Sequence, residues 1–152
     1  MINLPDNSDI HDSGDNHSHF EEQRSDILRN RFVLVIDDNV ELLSMMGDAF
    51  RAVGAIVETA EDGLDAIRSF RVEPADLVVT DILMPTKEGI ETIIEMKQRH
   101  PGVKIIAISG GGRLGSLDFL DLARQLGADS AMAKPFLLDE LVEEGRALLA
   151  AA

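Results

Sequence analysis

The chain has 152 residues, a formal net charge of −14 and 45% hydrophobic residues, with no Cys, Trp or Tyr. That length bounds it to about one domain with an aliphatic core. The missing Cys excludes disulfides and thiolate metal sites, and the acidity disfavours a nucleic-acid or anionic-membrane surface.

Residues 1–30, "MINLPDNSDIHDSGDNHSHFEEQRSDILRN", hold seven acids, two arginines and few apolar residues. This composition predicts an acidic, disordered N-terminal tail. It contains no apolar signal-peptide core. His11, His17 and His19 lie in it without a helix face to present them. "EEQRSDILRN" has enough helix formers for a turn. From Arg31 the texture changes, and residues 31–152 are predicted to form the folded domain.

"RFVLVID" reads as a buried strand. "NVELLSMMGDAFRAVG" sets Val40, Leu43, Met46 and Phe50 at helical spacing and stops at Gly54. "AIVETA" is a short strand, and "DGLDAIRSFRV" a helix capped by Asp62. "ADLVVTD" is a strand that ends on a carboxylate. "TKEGIETIIEMKQRHPG" is a helix, with Thr86 as its cap, stopped by Pro101 and Gly102. "VKIIAIS" is a strand. "GGGRLGSLDFLDLARQLG" is a Gly-rich loop followed by a helix. "ADSAMA" is a short, weak strand, and "FLLDELVEEGRALLAAA" the last helix. Met45, Met46 and Met96 are read as core. No run is long enough to span a bilayer, so the expected setting is cytoplasmic, with no membrane partner.

Five apolar strands alternating with five helices predict an α/β fold with a parallel sheet covered on both faces. The doubly wound solution for five strands has the order 2-1-3-4-5 and right-handed crossovers. Such a sheet binds its ligands outside the carboxyl ends of its strands. Strand one ends there on Asp37 and Asp38, strand three on Asp81, strand four on Ser109 and strand five on Lys134. Clustered carboxylates raise a pKa or bind a cation. Oxygen ligands without Cys or His suit Mg²⁺. A lysine and a hydroxyl opposite the acids suit a transferring phosphoryl group. Asp81, the central acid, is the candidate nucleophile. "SGGGRLGS" lacks the Gly-Lys-Ser/Thr ending of a nucleotide-phosphate loop and is read as a flexible loop over the site.

With "VLVIDDN", "DLVVTDILMPTKEGIE", "IIAIS" and "AKPF" in this order, the sequence resembles the response-regulator receiver domain of two-component signalling over about residues 31–150. The resemblance implies the flavodoxin-like receiver fold, with Asp81 as phosphoacceptor and Asp37 and Asp38 as the acidic pair holding Mg²⁺. It also implies the backbone carbonyl of Leu83 as a further metal ligand, Ser109 as the switch hydroxyl, Lys134 as the phosphate-binding lysine and a cis bond before Pro135. The implied partners are a sensor histidine kinase or a histidine phosphotransfer protein, and a downstream protein target that the sequence does not identify.

The chain departs from the family pattern at Ala131, where a switch Tyr or Phe is usual, and at Lys87 and Glu88, where Met and Asp are common. No output domain follows the last helix in this sequence, so a stand-alone regulator signalling by protein contact is expected. Turnover of free substrates is not expected. A phosphorylation-independent adaptor is the alternative. A haloacid-dehalogenase-like phosphatase needs Asp-x-Asp after its first strand, and "IDDN" does not provide it.

Overall fold

Side chains of alternate strand residues leave a sheet on opposite faces, and here both faces are apolar. The computed structural model describes residues 27–82, 89–110 and 116–152, the side chains of 116–120 excepted. Its strands are β1 (Phe32–Ile36), β2 (Ile56–Ala60), β3 (Leu77–Asp81), β4 (Lys104–Gly110) and β5 (Ser130–Lys134). Its helices are α1 (Val40–Ala52), α2 (Gly63–Val72), α3 (Gly89–Arg99), α4 (Ser116–Leu126) and α5 (Leu138–Ala150). All strand pairs are parallel, in the order β2-β1-β3-β4-β5. The expected topology is therefore the observed one.

Leu34, Val78, Ile105 and Ala107 pack on one side with Ile67, Phe70, Ile93 and Met96 of α2 and α3. Val33, Val35, Leu77, Val79, Ile106 and Ile108 pack on the other with Met46, Phe50, Leu141 and Val142 of α1 and α5. β3 is buried along its whole length, as a central strand covered on both faces must be. β2 and β5 are the outer strands and are largely exposed or half-buried.

Helix starts follow local chemistry. The Asn39 side chain accepts a hydrogen bond from the Leu42 N–H, and Asp62 from the Asp65 N–H at 2.8 Å. Each satisfies a donor that the first helical turn leaves free.

Three expectations need correction. Val40 and Met45 are 58% and 53% exposed. Val40 opens α1 directly after its cap, and Met45 faces away from the buried Leu43, Met46, Gly47 and Phe50. Of the three methionines expected in the core, Met46 and Met96 are buried there. The predicted tail gives way to packed chain before Arg31, because Leu28 is fully buried in the α1/α5 layer. Thr86, Lys87, Glu88, His11, His17 and His19 lie outside the described residues, as does most of the Gly-rich loop.

The edge of the sheet opposite the candidate site is fastened by two carboxylates. Asp76 accepts from the Phe32 N–H at 2.8 Å. Asp129 accepts from the Ile105 N–H at 2.8 Å and from the Lys97 ammonium at 2.9 Å. Asp129→Ala strips both donors of that partner and should cost about 1–3 kcal/mol, read as a lower urea midpoint with an unchanged slope.

Candidate functional site

Parity and register bring the acids together. Asp37 and Asp81 have the parity of Val35 and Val79, and β1 pairs with β3 through Ile36 and Thr80, one step before them. Asp37 is fully buried, Asp81 nearly so and Asp38 exposed. One carboxylate oxygen from each of the three lies within 4.8 Å of the others.

Lys134 reaches this cluster from two strands away. It ends β5 opposite Gly110. A Cβ on Gly110 would lie 2.7 Å from the lysine Cδ, so the bare glycine is the gap through which the side chain passes. Gly110 was expected to begin a loop. It is instead the last residue of β4, and its role depends on a neighbour 24 residues on, which local pattern does not reveal. The Lys134 ammonium donates to Asp37 Oδ2 at 2.9 Å and to Asp81 Oδ2 at 3.3 Å. The other oxygen of Asp37 accepts from the Asn39 N–H at 2.9 Å. Burial works against the lysine's charge. The hydrogen bond that the ammonium donates to Asp37 and the charges of Asp81 and Asp37 outweigh it and hold its pKa above the usual lysine value. The Lys134–Pro135 peptide bond is cis.

Ser109 sits one residue before the end of β4, 1% exposed, and its hydroxyl has no hydrogen-bond partner among the described residues. It stands beside the cluster without bonding to it. An orphaned buried hydroxyl carries a desolvation penalty that a ligand oxygen would relieve. Ala131 is half-buried against the α2/α3 layer, and its carbonyl accepts from Arg124. Leu83 lies outside the described residues.

The donor set fits a hard divalent cation. It is all oxygen, it converges from two adjacent strands, and it carries three negative charges against one ammonium. The exposed Asp38 leaves the cluster open to solvent. Lys134→Ala should destabilise the fold by about 3 kcal/mol, because the buried Asp37 carboxylate loses its counter-charge. Millimolar Mg²⁺ should recover part of that loss, since a cation that binds only the folded state stabilises it. Urea midpoints with and without Mg²⁺ measure both effects.

A second glycine shapes the site from behind. A Cβ on Gly89, the first residue of α3, would lie 2.1 Å from the Asp81 carbonyl oxygen and 2.5 Å from the Ile82 Cα. The helix start therefore presses directly on the backbone that carries the central acid.

Comparison with known proteins accords with this geometry. The family model described as response regulator receiver domain matches residues 33–146. The transcriptional regulatory protein PrrA of Mycobacterium bovis is 34% identical over 117 residues, 77% of this chain and 49% of that protein. The transcriptional regulatory protein CpxR of Klebsiella pneumoniae is 35% identical over 117 residues, covering 77% of this chain and 48% of that protein. The chain thus spans about half the length of the curated relatives it matches. Among solved structures, the receiver domain of NtrX from Brucella abortus is 26% identical with a TM-score of 0.73, over 79% of this chain and 99% of that one.

Proposed function

The chain belongs to the family of response regulator receiver domains, and from that premise we propose that Asp81 accepts a phosphoryl group from a phosphohistidine donor. The donor is a sensor histidine kinase or a histidine phosphotransfer protein. The observation that carries this reading is the pair of buried carboxylates, Asp37 and Asp81, bridged by the single ammonium of Lys134.

An Asp81 carboxylate oxygen attacks phosphorus in line. The P–N bond of the donor breaks, its electron pair stays on the imidazole nitrogen, and an acyl phosphate forms. Lys134 turns its ammonium from the carboxylates toward the phosphoryl oxygens, and the Ser109 hydroxyl donates to another. Asp37, Asp38, Asp81 and the Leu83 carbonyl would hold Mg²⁺, which when bound would supply neutralising charge for the acids and the phosphoryl oxygens. Water later cleaves the acyl phosphate and releases inorganic phosphate. Receiver domains as a family are not turnover enzymes on free substrates.

The signal is a population shift, driven by contacts that exist only with the phosphoryl group in place. The Ser109 hydroxyl, without a hydrogen-bond partner among the described residues, is the clearest such contact. PrrA and CpxR are named transcriptional regulators and are about twice as long as their match to this chain. The acidity of this chain favours output through protein contact rather than direct DNA binding. Ala131 supports a second reading, an adaptor whose partner affinity ignores phosphorylation, because no aromatic ring there links Ser109 to the face of α4, β5 and α5. The deciding experiment is labelling by acetyl phosphate with Mg²⁺, followed by intact mass on wild type and Asp81→Asn.

A further inference from the structure

The first three residues of β3, Leu77, Val78 and Val79, are apolar and fully buried. Thr80, the fourth, is fully buried as well. It has the parity of Val78 and Ile82, which places its side chain in the α2/α3 layer. Its partners across the sheet, Ile36 on β1 and Ala107 on β4, are buried apolar residues of that same layer. A valine has the same branched shape and would fit these surroundings with no polar atom to desolvate. The hydroxyl that stands there instead is a cost that its hydrogen bond has to offset.

That bond goes to the backbone of the central acid. Thr80 Oγ1 donates to the Asp81 carbonyl oxygen at 3.0 Å. The N–H of the same peptide unit, contributed by Ile82, donates to the Ile108 carbonyl at 3.0 Å. The Asp81–Ile82 peptide is therefore held at both of its polar ends, by the side chain before Asp81 and by the residue before Ser109. α3 crowds the same carbonyl, since a Cβ on Gly89 would lie 2.1 Å from its oxygen. A peptide unit is planar, so its orientation sets ψ of Asp81 and the direction in which that side chain leaves the end of the strand. We infer that Thr80 is a positioning residue for phosphoryl transfer, its hydroxyl fixing the Asp81–Ile82 peptide so that the Asp81 carboxylate keeps its line of attack. The inference rests on the reading of Asp81 as phosphoacceptor. Thr80 touches none of the reacting atoms and acts only through the main chain. A threonine that merely satisfied its own hydroxyl would leave the labelling rate indifferent to valine.

The test is the rate of labelling by acetyl phosphate at saturating Mg²⁺, followed by intact mass in the full chain, for wild type, Thr80→Val and Thr80→Ser. A misplacement of about 1 Å at a reacting group costs on the order of 100-fold, and the tilt of one peptide is smaller, so Thr80→Val should label about tenfold more slowly. Thr80→Ser keeps the hydroxyl and should label at the wild-type rate. Stability should run the other way. Thr80→Ser gives up a buried methyl group and should have the lower urea midpoint of the two variants. A residue with a structural role alone would move the midpoint and leave the labelling rate of the folded protein untouched. Thr80→Val labelling as fast as wild type, or Thr80→Ser as slow as Thr80→Val, would overturn the inference while Asp81 kept its role. A wild type that takes up no phosphoryl group would remove Asp81 from its role and this inference with it.

Discussion

Asp81→Asn is expected to take up no phosphoryl group from acetyl phosphate and Mg²⁺ under conditions where wild type adds one. The loss should exceed about 100-fold, because an amide oxygen cannot replace the carboxylate nucleophile. The folded state should survive the change. Asn retains an oxygen for the Lys134 ammonium, which now stands 3.3 Å from Asp81 Oδ2. The substitution also removes one of three crowded negative charges. Without metal, stability should therefore hold or rise by about 1 kcal/mol, and the stabilisation conferred by Mg²⁺ should shrink. Intact mass reads the first effect and paired urea titrations the second. Labelling of Asp81→Asn at the wild-type level would remove the central residue from the proposal.

The largest loss of stability is expected at Gly89. A Cβ there would collide with backbone, at 2.1 Å from the Asp81 carbonyl oxygen and 2.9 Å from its carbon. No rotamer relieves a backbone clash, so α3 must back away from β3 or the end of β3 must bend. Overpacking of this kind costs about 3 kcal/mol or more. The displaced strand end also carries Asp81, and a shift of about 1 Å at a reacting group costs on the order of 100-fold in rate. Gly89→Ala should therefore lose both stability and labelling. Gly102→Ala is the control, because nothing lies within 4 Å of a Cβ at that position. Its urea midpoint should match wild type to within about 0.5 kcal/mol. A Gly89→Ala protein as stable and as reactive as wild type would show that α3 does not brace the acid.

The architecture was legible because it rests on period and punctuation. Strand runs such as "VLVI" and "LVVT", separated by helices of period 3.6, leave few alternatives to a doubly wound parallel sheet. Once the strand order is known, the strand ends specify the rim, and Asp37, Asp38, Asp81 and Lys134 do meet there. What stayed hidden were features set by the distant chain. Spacing alone put Val40 on the buried stripe of α1, but spacing does not say how far the sheet extends beneath a helix. Leu28 looked like tail because its neighbours are polar, whereas its burial is decided by the α1/α5 layer. Gly89 and Gly110 matter through what their missing side chains admit. A glycine in a sequence does not say whether it supplies a turn or a gap.

Asp76 and Asp129 sit at the far edge of the sheet, where backbone N–H groups and Lys97 satisfy them. Asp37, Asp38 and Asp81 crowd together at the near edge around one lysine. One residue type thus clamps the scaffold at one pole and stores electrostatic tension at the other. Mutagenesis can exploit that polarity. Neutralising Asp81 at the reactive pole should abolish labelling while leaving the fold intact, whereas neutralising an acid at the clamped pole should loosen the scaffold and leave the reactive groups chemically unaltered.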